Sequence, residues 1–245
     1  MSVDQKVTII SGASGGLGQT VSRVFHEAGA NVVLVGSRLE GVRSLAEDLG
    51  QERVLPIAAN LINPAEAEAV VASTLDRFGR VDIVLNLAGG FIGGTPVSQS
   101  SDGDLVNMLN INLYTCYNLS RAALKPMIEQ RWGRIVNTAS RDALQGRANY
   151  SAYAISKAAV LRLTESMAAE VKQYNVTVNT ILPGTIDTTA NRKAMPKADF
   201  SQWVQPATIA QTLLFLAGDT TAITGASIPL YEQIDMSLWN VGHRT

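Results

Sequence analysis

The sequence predicts an α/β fold, a doubly wound parallel sheet with helices on both faces. Three observations predict it. Short apolar runs alternate with helical patterns along the whole chain. The runs are β-branched and do not alternate apolar with polar, as strands covered on both faces read. A glycine-rich turn follows the first run and opens the first helix.

Taken in order, KVTII (6–10) reads as a buried strand, and SGASGGLG (11–18) leads into a helix over about 17–28 that Gly29 stops. NVVLV (31–35) is the second strand, followed by a helix over 39–49 that ends at Gly50. VLPIA (54–58) is the third; Pro64 opens a helix to residue 78, and Gly79 ends it. VDIVLN (81–86) is the fourth. A long helix spans about 102–129, GRIVNTA (133–139) is the fifth strand, and a helix covers 150–174 with Asn175 as its C-terminal cap. VTVNTILP (176–183) is the sixth strand, 206–217 a further helix and ASIPL (226–230) a seventh strand. Such strand–helix–strand units imply right-handed crossovers. No repeat and no linker-like stretch appears, so one domain over 1–245 is the economical reading.

Composition narrows the function classes. The chain of 245 residues is 46% hydrophobic and 17% charged, which suits a compact protein with a large core. Lys plus Arg number 20 against 21 for Asp plus Glu, so no electrostatic reason favours nucleic acid or an anionic membrane as partner. No apolar stretch approaches the roughly 20 residues that span a bilayer. The N-terminal run has no basic region before it, so no secretory leader is expected. Cys116 is the only cysteine, which allows no internal disulfide and makes a reducing cytoplasm the simple reading. His26 and His243 have no partners at metal-ligand spacing, so no metal site is expected.

Gly12, Gly16 and Gly18 give the spacing G-xxx-G-x-G. Residues without Cβ let a backbone turn sharply and approach a pyrophosphate, while the helix N-terminus adds unpaired N–H groups and a positive dipole end. A tight turn with no ligand fits the glycines equally well. Their place after the first strand of an α/β chain favours a nucleotide.

In order along the chain, SGASGGLG, NLAGG (86–90), NINLYTCYNLSRAAL (110–124), GRIVNTAS (133–140), YAISK (153–157) and VTVNTILPGTIDT (176–188) resemble the short-chain dehydrogenase/reductase (SDR) family. The resemblance implies a Rossmann-type sheet of about seven strands, a nicotinamide cofactor, a small-molecule substrate and a homotetramer. It implies cofactor contacts from Gly12, Ser14, Gly16, Leu17 and Gly18, and from Asn60 and Leu61 after the third strand. It implies others from Asn86, Ala88 and Gly89 after the fourth strand, and from Pro183, Gly184, Ile186 and Thr188 after the sixth. Leu87 departs from the family's second asparagine in this stretch. At the end of the second strand, Gly36-Ser37-Arg38 stands where an NAD enzyme carries an acid. A hydroxyl and a guanidinium suit a 2′-phosphate, so NADP(H) is expected over NAD(H).

NYSAYAISKAA (149–159) holds two tyrosines and one lysine. A carbonyl reductase needs an acid near the substrate oxygen, tuned toward working pH, and a nearby cation lowers a phenol's pKa. Lys157 is four residues from Tyr153 and seven from Tyr150; both pairings are possible on a helix, and spacing favours Tyr153. The resemblance implies the same pair, Tyr153 and Lys157, together with Ser140 on the substrate oxygen and Asn112 holding a water behind Lys157. Asn110 is the alternative to Asn112.

The resemblance also implies a lid at about 185–205. Parts of it, with LAGGFIGG (87–94), resemble dihydropteridine reductases. Phe91, Phe200 or Trp203 would then stack on a flat pterin, or else anchor the lid. Ser140 and the missing acid oppose the pterin reading, so an NADP-dependent ketone or aldehyde reductase is expected. Proteins of this fold also serve as cofactor-binding regulators or assembly subunits, commonly without all four catalytic residues; here all four are present. After TGASI the family's glycine pair gives way to PLYEQ (229–233) and the tail IDMSLWNVGHRT.

Overall fold

The structure, a computed structural model, describes residues 2–219 and 222–231 of the chain. The family-atypical tail and His243 lie outside the described residues. Seven strands form one sheet: β1 (Val7–Ser11), β2 (Asn31–Gly36), β3 (Val54–Ala58), β4 (Ile83–Asn86), β5 (Gly133–Thr138), β6 (Val176–Pro183) and β7 (Ser227–Leu230). Their order is β3-β2-β1-β4-β5-β6-β7, and every neighbouring pair is parallel. The chain steps outward from β1 to β3, then returns to the other side of β1 at β4. That reversal opens a crevice beyond the carboxyl ends of β1 and β4, where doubly wound sheets take their ligands.

Helices cover both faces. On one, α1 (Gly16–Glu27), α2 (Leu39–Leu49) and α8 (Pro206–Ala217) pack against Ile10, Leu34, Val136 and Ile181. On the other, α3 (Pro64–Phe78), α5 (Thr115–Glu129) and α6 (Ser151–Val171) pack against Ile9, Val33, Val84, Ile135 and Val178. Alternate residues of each inner strand therefore enter opposite cores, which is why these strands are apolar throughout.

The strand ends fall within two residues of the expected ones. Gly79 (φ 73°) and Asn175 (φ 59°) close their helices in the left-handed conformation, as expected. Two features correct the sequence reading. The long helix of 102–129 is interrupted: α4 (Asp102–Met108) passes into a π-helical segment, Leu109–Tyr114, before α5 resumes. The Thr115 amide bonds back to the Asn110 carbonyl, five residues away, so one extra residue is inserted in the turn. The segment after β6 is not all loop either. It contains α7 (Thr189–Ala194), whose first turn is capped by the Thr188 hydroxyl accepting from the Asn191 amide at 3.2 Å.

Candidate active site

The crevice is floored by the glycine turn. Gly12 has φ 68°, and a Cβ there would lie 2.9 Å from the Ala88 nitrogen; one on Gly18 would lie 2.1 Å from the Gly12 carbonyl oxygen. Only glycine allows this approach of β1's turn to the end of β4. Ser11, last in β1, fastens that contact: its hydroxyl accepts from the Leu87 and Ala88 amides at 3.1 and 3.2 Å. The donors are main-chain amides, so leucine at 87 does not disturb them. α1 starts at Gly16 with no side-chain cap and no acid in its first turn, leaving its amides for an anion. Leu17 beside them is buried. Gly16 faces the Thr188 side chain across the crevice: a Cβ on it would meet Thr188 Cβ at 3.0 Å.

The remaining cofactor candidates ring this cradle. Ser14 reaches toward the end of β2, with Oγ 3.3 Å from where a Cβ on Gly36 would stand. Ser37 and Arg38 are exposed there, ahead of α2. Asn60 is exposed; its Oδ1 accepts from the Ile62 amide at 3.2 Å, so its acceptor half is committed to the turn. Asn118 on α5 pins that turn by donating to the Leu61 and Ile62 carbonyls, both at 3.0 Å. Asn86 is buried and faces away from the cradle, donating to Ser120 Oγ (2.9 Å) and Asn137 Oδ1 (2.8 Å). Pro183 ends β6, and the Gly184 amide donates to the Leu230 carbonyl at 3.0 Å. Ile186 bridges Val204 through the flanking Thr185 carbonyl and Asp187 amide, which leaves its own amide outside that bridge. The cradle and its donors fit a dinucleotide.

Ser140, Tyr153, Lys157 and Asn112 come together beside this cradle. Ser140 is buried just past β5, within hydrogen-bonding reach of the Tyr153 hydroxyl. Burial pushes the Tyr153 phenol up, and the Ser140 hydrogen bond opposes it. Burial thus outweighs the neighbouring cation that the sequence pairs with Tyr153. The Lys157 ammonium stands 6.0 Å from the Tyr153 ring centroid and donates to the Thr138 carbonyl at 2.9 Å. Burial lowers Lys157 itself to about 8, with Cys116 opposing. Cys116, in turn, is pushed up to about 12 by burial and stays a neutral core thiol.

Asn112 lies in the π segment and is 1% exposed; Asn110 is not fully buried. The Asn112 amide is engaged on both sides, accepting from the Gly90 amide at 2.9 Å and donating to the Gly90 carbonyl (3.1 Å) and Ser156 Oγ (3.0 Å). Its side chain acts as a strut from the β4–α4 loop to α6. Gly89 makes room for this: a Cβ there would lie 2.7 Å from Asn112 Oδ1 and 3.2 Å from Lys157 Nζ.

Sequence reasoning missed Ser11 and Ser156, single hydroxyls whose partners are distant in the chain. Of the aromatic candidates, Trp203 is buried and packs tilted against Phe200, centroids 4.8 Å apart. Within the segment after β6, Arg192 pairs with Asp187 and holds that carboxyl down to about 2. Phe91 is 53% exposed and stands edge-on to Tyr153, centroids 5.0 Å apart. Tyr150 is a wall residue, 5.2 Å from Phe91. Among the described residues no group of metal-ligating side chains converges, and no helix is long and apolar enough to cross a membrane.

Residues 6–199 match the family described as short chain dehydrogenase. The 3-oxoacyl-[acyl-carrier-protein] reductase FabG of Vibrio cholerae is 32% identical over 237 residues, covering 93% of this chain and 96% of that protein. Among solved structures, gox2181 superposes with TM-score 0.88 at 28% identity, covering 94% of this chain and 95% of that one. An NAD+-bound xylitol dehydrogenase superposes with TM-score 0.87 at 25% identity, covering 95% and 100%.

Proposed function

The chain belongs to the short-chain dehydrogenase family of oxidoreductases, and from that premise we propose that it moves hydride between NADP(H) and a ketone, an aldehyde or a secondary alcohol, as a 3-oxoacyl reductase does. The observation that carries this reading is the Ser140–Tyr153 hydroxyl pair, with buried Lys157 one helical turn behind it. The nicotinamide supplies the hydride. Ser140 and Tyr153 both offer a hydroxyl to one substrate oxygen, and Tyr153 gives it a proton as charge develops there. Lys157 stabilises the phenolate that this leaves. Asn112, fixed by Gly90 and Ser156, keeps the loop after β4 against α6 while this happens.

Cofactor choice follows from charge. Ser37 and Arg38 would hold a 2′-phosphate that an acid at this place would repel. The NAD+-bound relative makes a direct comparison necessary. In steady-state assays, NADPH should exceed NADH in kcat/KM, and Arg38→Ala should cut the NADPH value by about tenfold or more, the loss of one charge-assisted contact. Preference for NADH would reject the assignment. Ser140→Ala should abolish reduction of every carbonyl tried. A pterin is the second reading, and exposed Phe91 beside Tyr153 favours it. Faster turnover of a quinonoid dihydropterin, unaffected by Ser140→Ala, would reverse the order. The same reading makes the protein a homotetramer. Val106 on α4, Tyr117 on α5 and Ile155 on α6 are exposed apolar residues that fit subunit contacts, and light scattering reads the mass.

A further inference from the structure

The turn after β5 and the start of α6 are joined by an ion pair that the chemistry above does not use. Arg147 Nε lies 2.7 Å from Asp142 Oδ1, and Nη2 donates to Oδ2 at 3.4 Å. The Asp142 side chain is only 11% exposed. Followed from residue to residue, the contacts close into a ring. The Asp142 amide donates to Ser140 Oγ at 3.2 Å. Its carboxylate holds Arg147, whose guanidinium lies 4.2 Å from the Tyr150 ring centroid. Tyr150 packs on Phe91, and Phe91 on Tyr153. Tyr153 returns to Ser140, whose hydroxyl lies within hydrogen-bonding reach of the phenol.

We propose that the Asp142–Arg147 pair is a positioning strap: it ties the turn carrying Ser140 to the loop that launches the Tyr153 helix, and it balances the charge around the Tyr153 hydroxyl. The two members act on Tyr153 with opposite sign. The carboxylate favours the neutral phenol, and the guanidinium favours the phenolate. The other titratable groups around Tyr153 are Lys157 on its own helix and Tyr150, reached through Phe91. Arg141, on the same turn as Asp142, faces Tyr231 instead. The strap therefore sets both the approach of the two hydroxyls and the pH at which Tyr153 works.

The test is a tyrosinate absorbance titration of Asp142→Asn, Arg147→Gln and the exchange of Asp142→Arg with Arg147→Asp. Each is read against its own Tyr153→Phe partner, so that the difference reports Tyr153 alone. The pH profile of kcat/KM for alcohol oxidation is measured alongside. Asp142→Asn should move the Tyr153 midpoint down and Arg147→Gln should move it up, each by about one unit. Both should lose about tenfold in kcat/KM at their own optimum, because the ring is open; the exchanged pair should recover most of that loss. Unmoved midpoints, midpoints moving the same way, or an unchanged kcat/KM in both single variants would overturn the proposal. It rests on Tyr153 being the acid, yet the titration needs no turnover. Opposite shifts in a protein that reduces no carbonyl would uphold the strap and reject the function.

Discussion

A buried cation stands at each end of strand β5, and the two are held in opposite ways. At its start, Arg134 is 1% exposed and donates to four carbonyls: Gly133 (2.8 Å), Asn175 (3.0 Å), Gly218 (3.3 Å) and Asp219 (3.4 Å). Its guanidinium lies 4.4 Å from the Trp132 ring centroid, and the Lys6 ammonium lies 4.0 Å from the same ring. At the far end Lys157 is 4% exposed and donates to the carbonyl of Thr138, the last residue of β5. A guanidinium given its carbonyls stays charged and serves as a fastener. An ammonium with three donors and one protein acceptor loses much of its preference for the charged form, and burial lowers it to about 8. The difference marks which end of the sheet holds the fold and which end is poised for chemistry.

Removing each cation in turn is the strongest way to break this comparison. Lys157→Met replaces an under-solvated charge with an apolar side chain of similar length. Activity should fall by about a thousandfold, within the range of acid–base contributions. The melting temperature at neutral pH should hold or rise, because a buried charge has been removed. Steady-state rates and a thermal melt on one preparation check both halves. A Lys157→Met protein that melts well below the parent would make Lys157 a fastener like Arg134.

Arg134→Met should do the reverse. It strands four carbonyls that now share one guanidinium. A loss of about 3 kcal/mol follows from charged hydrogen bonds and desolvated acceptors, or roughly 6–12 °C in Tm for a chain of this size. Urea midpoints measure it. kcat per folded molecule should stay within about twofold, since Arg134 lies at the opposite end of β5 from Ser140.

The two ends were unequally legible in the sequence. Helix stops at Gly79 and Asn175 are local, because a left-handed residue needs glycine or asparagine whatever surrounds it. The Tyr153–Lys157 spacing is local too, a helical turn read off directly. The Asn112 strut was not legible, because its partners stand 22 and 44 residues away and the π turn that aims it has no residue signature of its own. The same holds for Arg134, whose carbonyl partners come from β6's entry and the end of α8, and for the Thr138 carbonyl that receives Lys157. Asn110 and Asn112 do stand out on ordinary helix logic, since an interior asparagine is a poor helix former. That logic does not say what the interruption is for. Tyr153 shows the limit from another side: its lysine neighbour was visible, but the burial that raises its pKa is a property of the folded crevice.

The finest test of the comparison is the pH dependence of stability. Lys157 has an ordinary pKa of 10.5 and a folded value of about 8. Between these values the unfolded chain holds a proton that the folded chain has released, so stability rises with pH across this window. Read downward, that stability is present above about 10.5 and lost as pH falls through about 8; below that the cost of the buried charge is fully felt. Lys157→Met carries no such term. Its advantage over the parent in urea unfolding should be flat from pH 6 to about 8, then shrink at up to about 1.4 kcal/mol per pH unit. The interval from 8 to 9 is the cleanest. Above 9.0 the Cys116 thiol ionises in the unfolded chain while burial keeps it protonated in the fold up to about 12. That linkage has the opposite sign, lowering stability as pH rises, and the loss of the Lys157 charge alters it. The same measurement on Arg134→Met should show no window near pH 8, because a guanidinium does not titrate there. A parent–Lys157→Met difference that stays constant from pH 6 to 9 would mean that Lys157 is as well satisfied as Arg134, and the contrast between the two ends of β5 would fall.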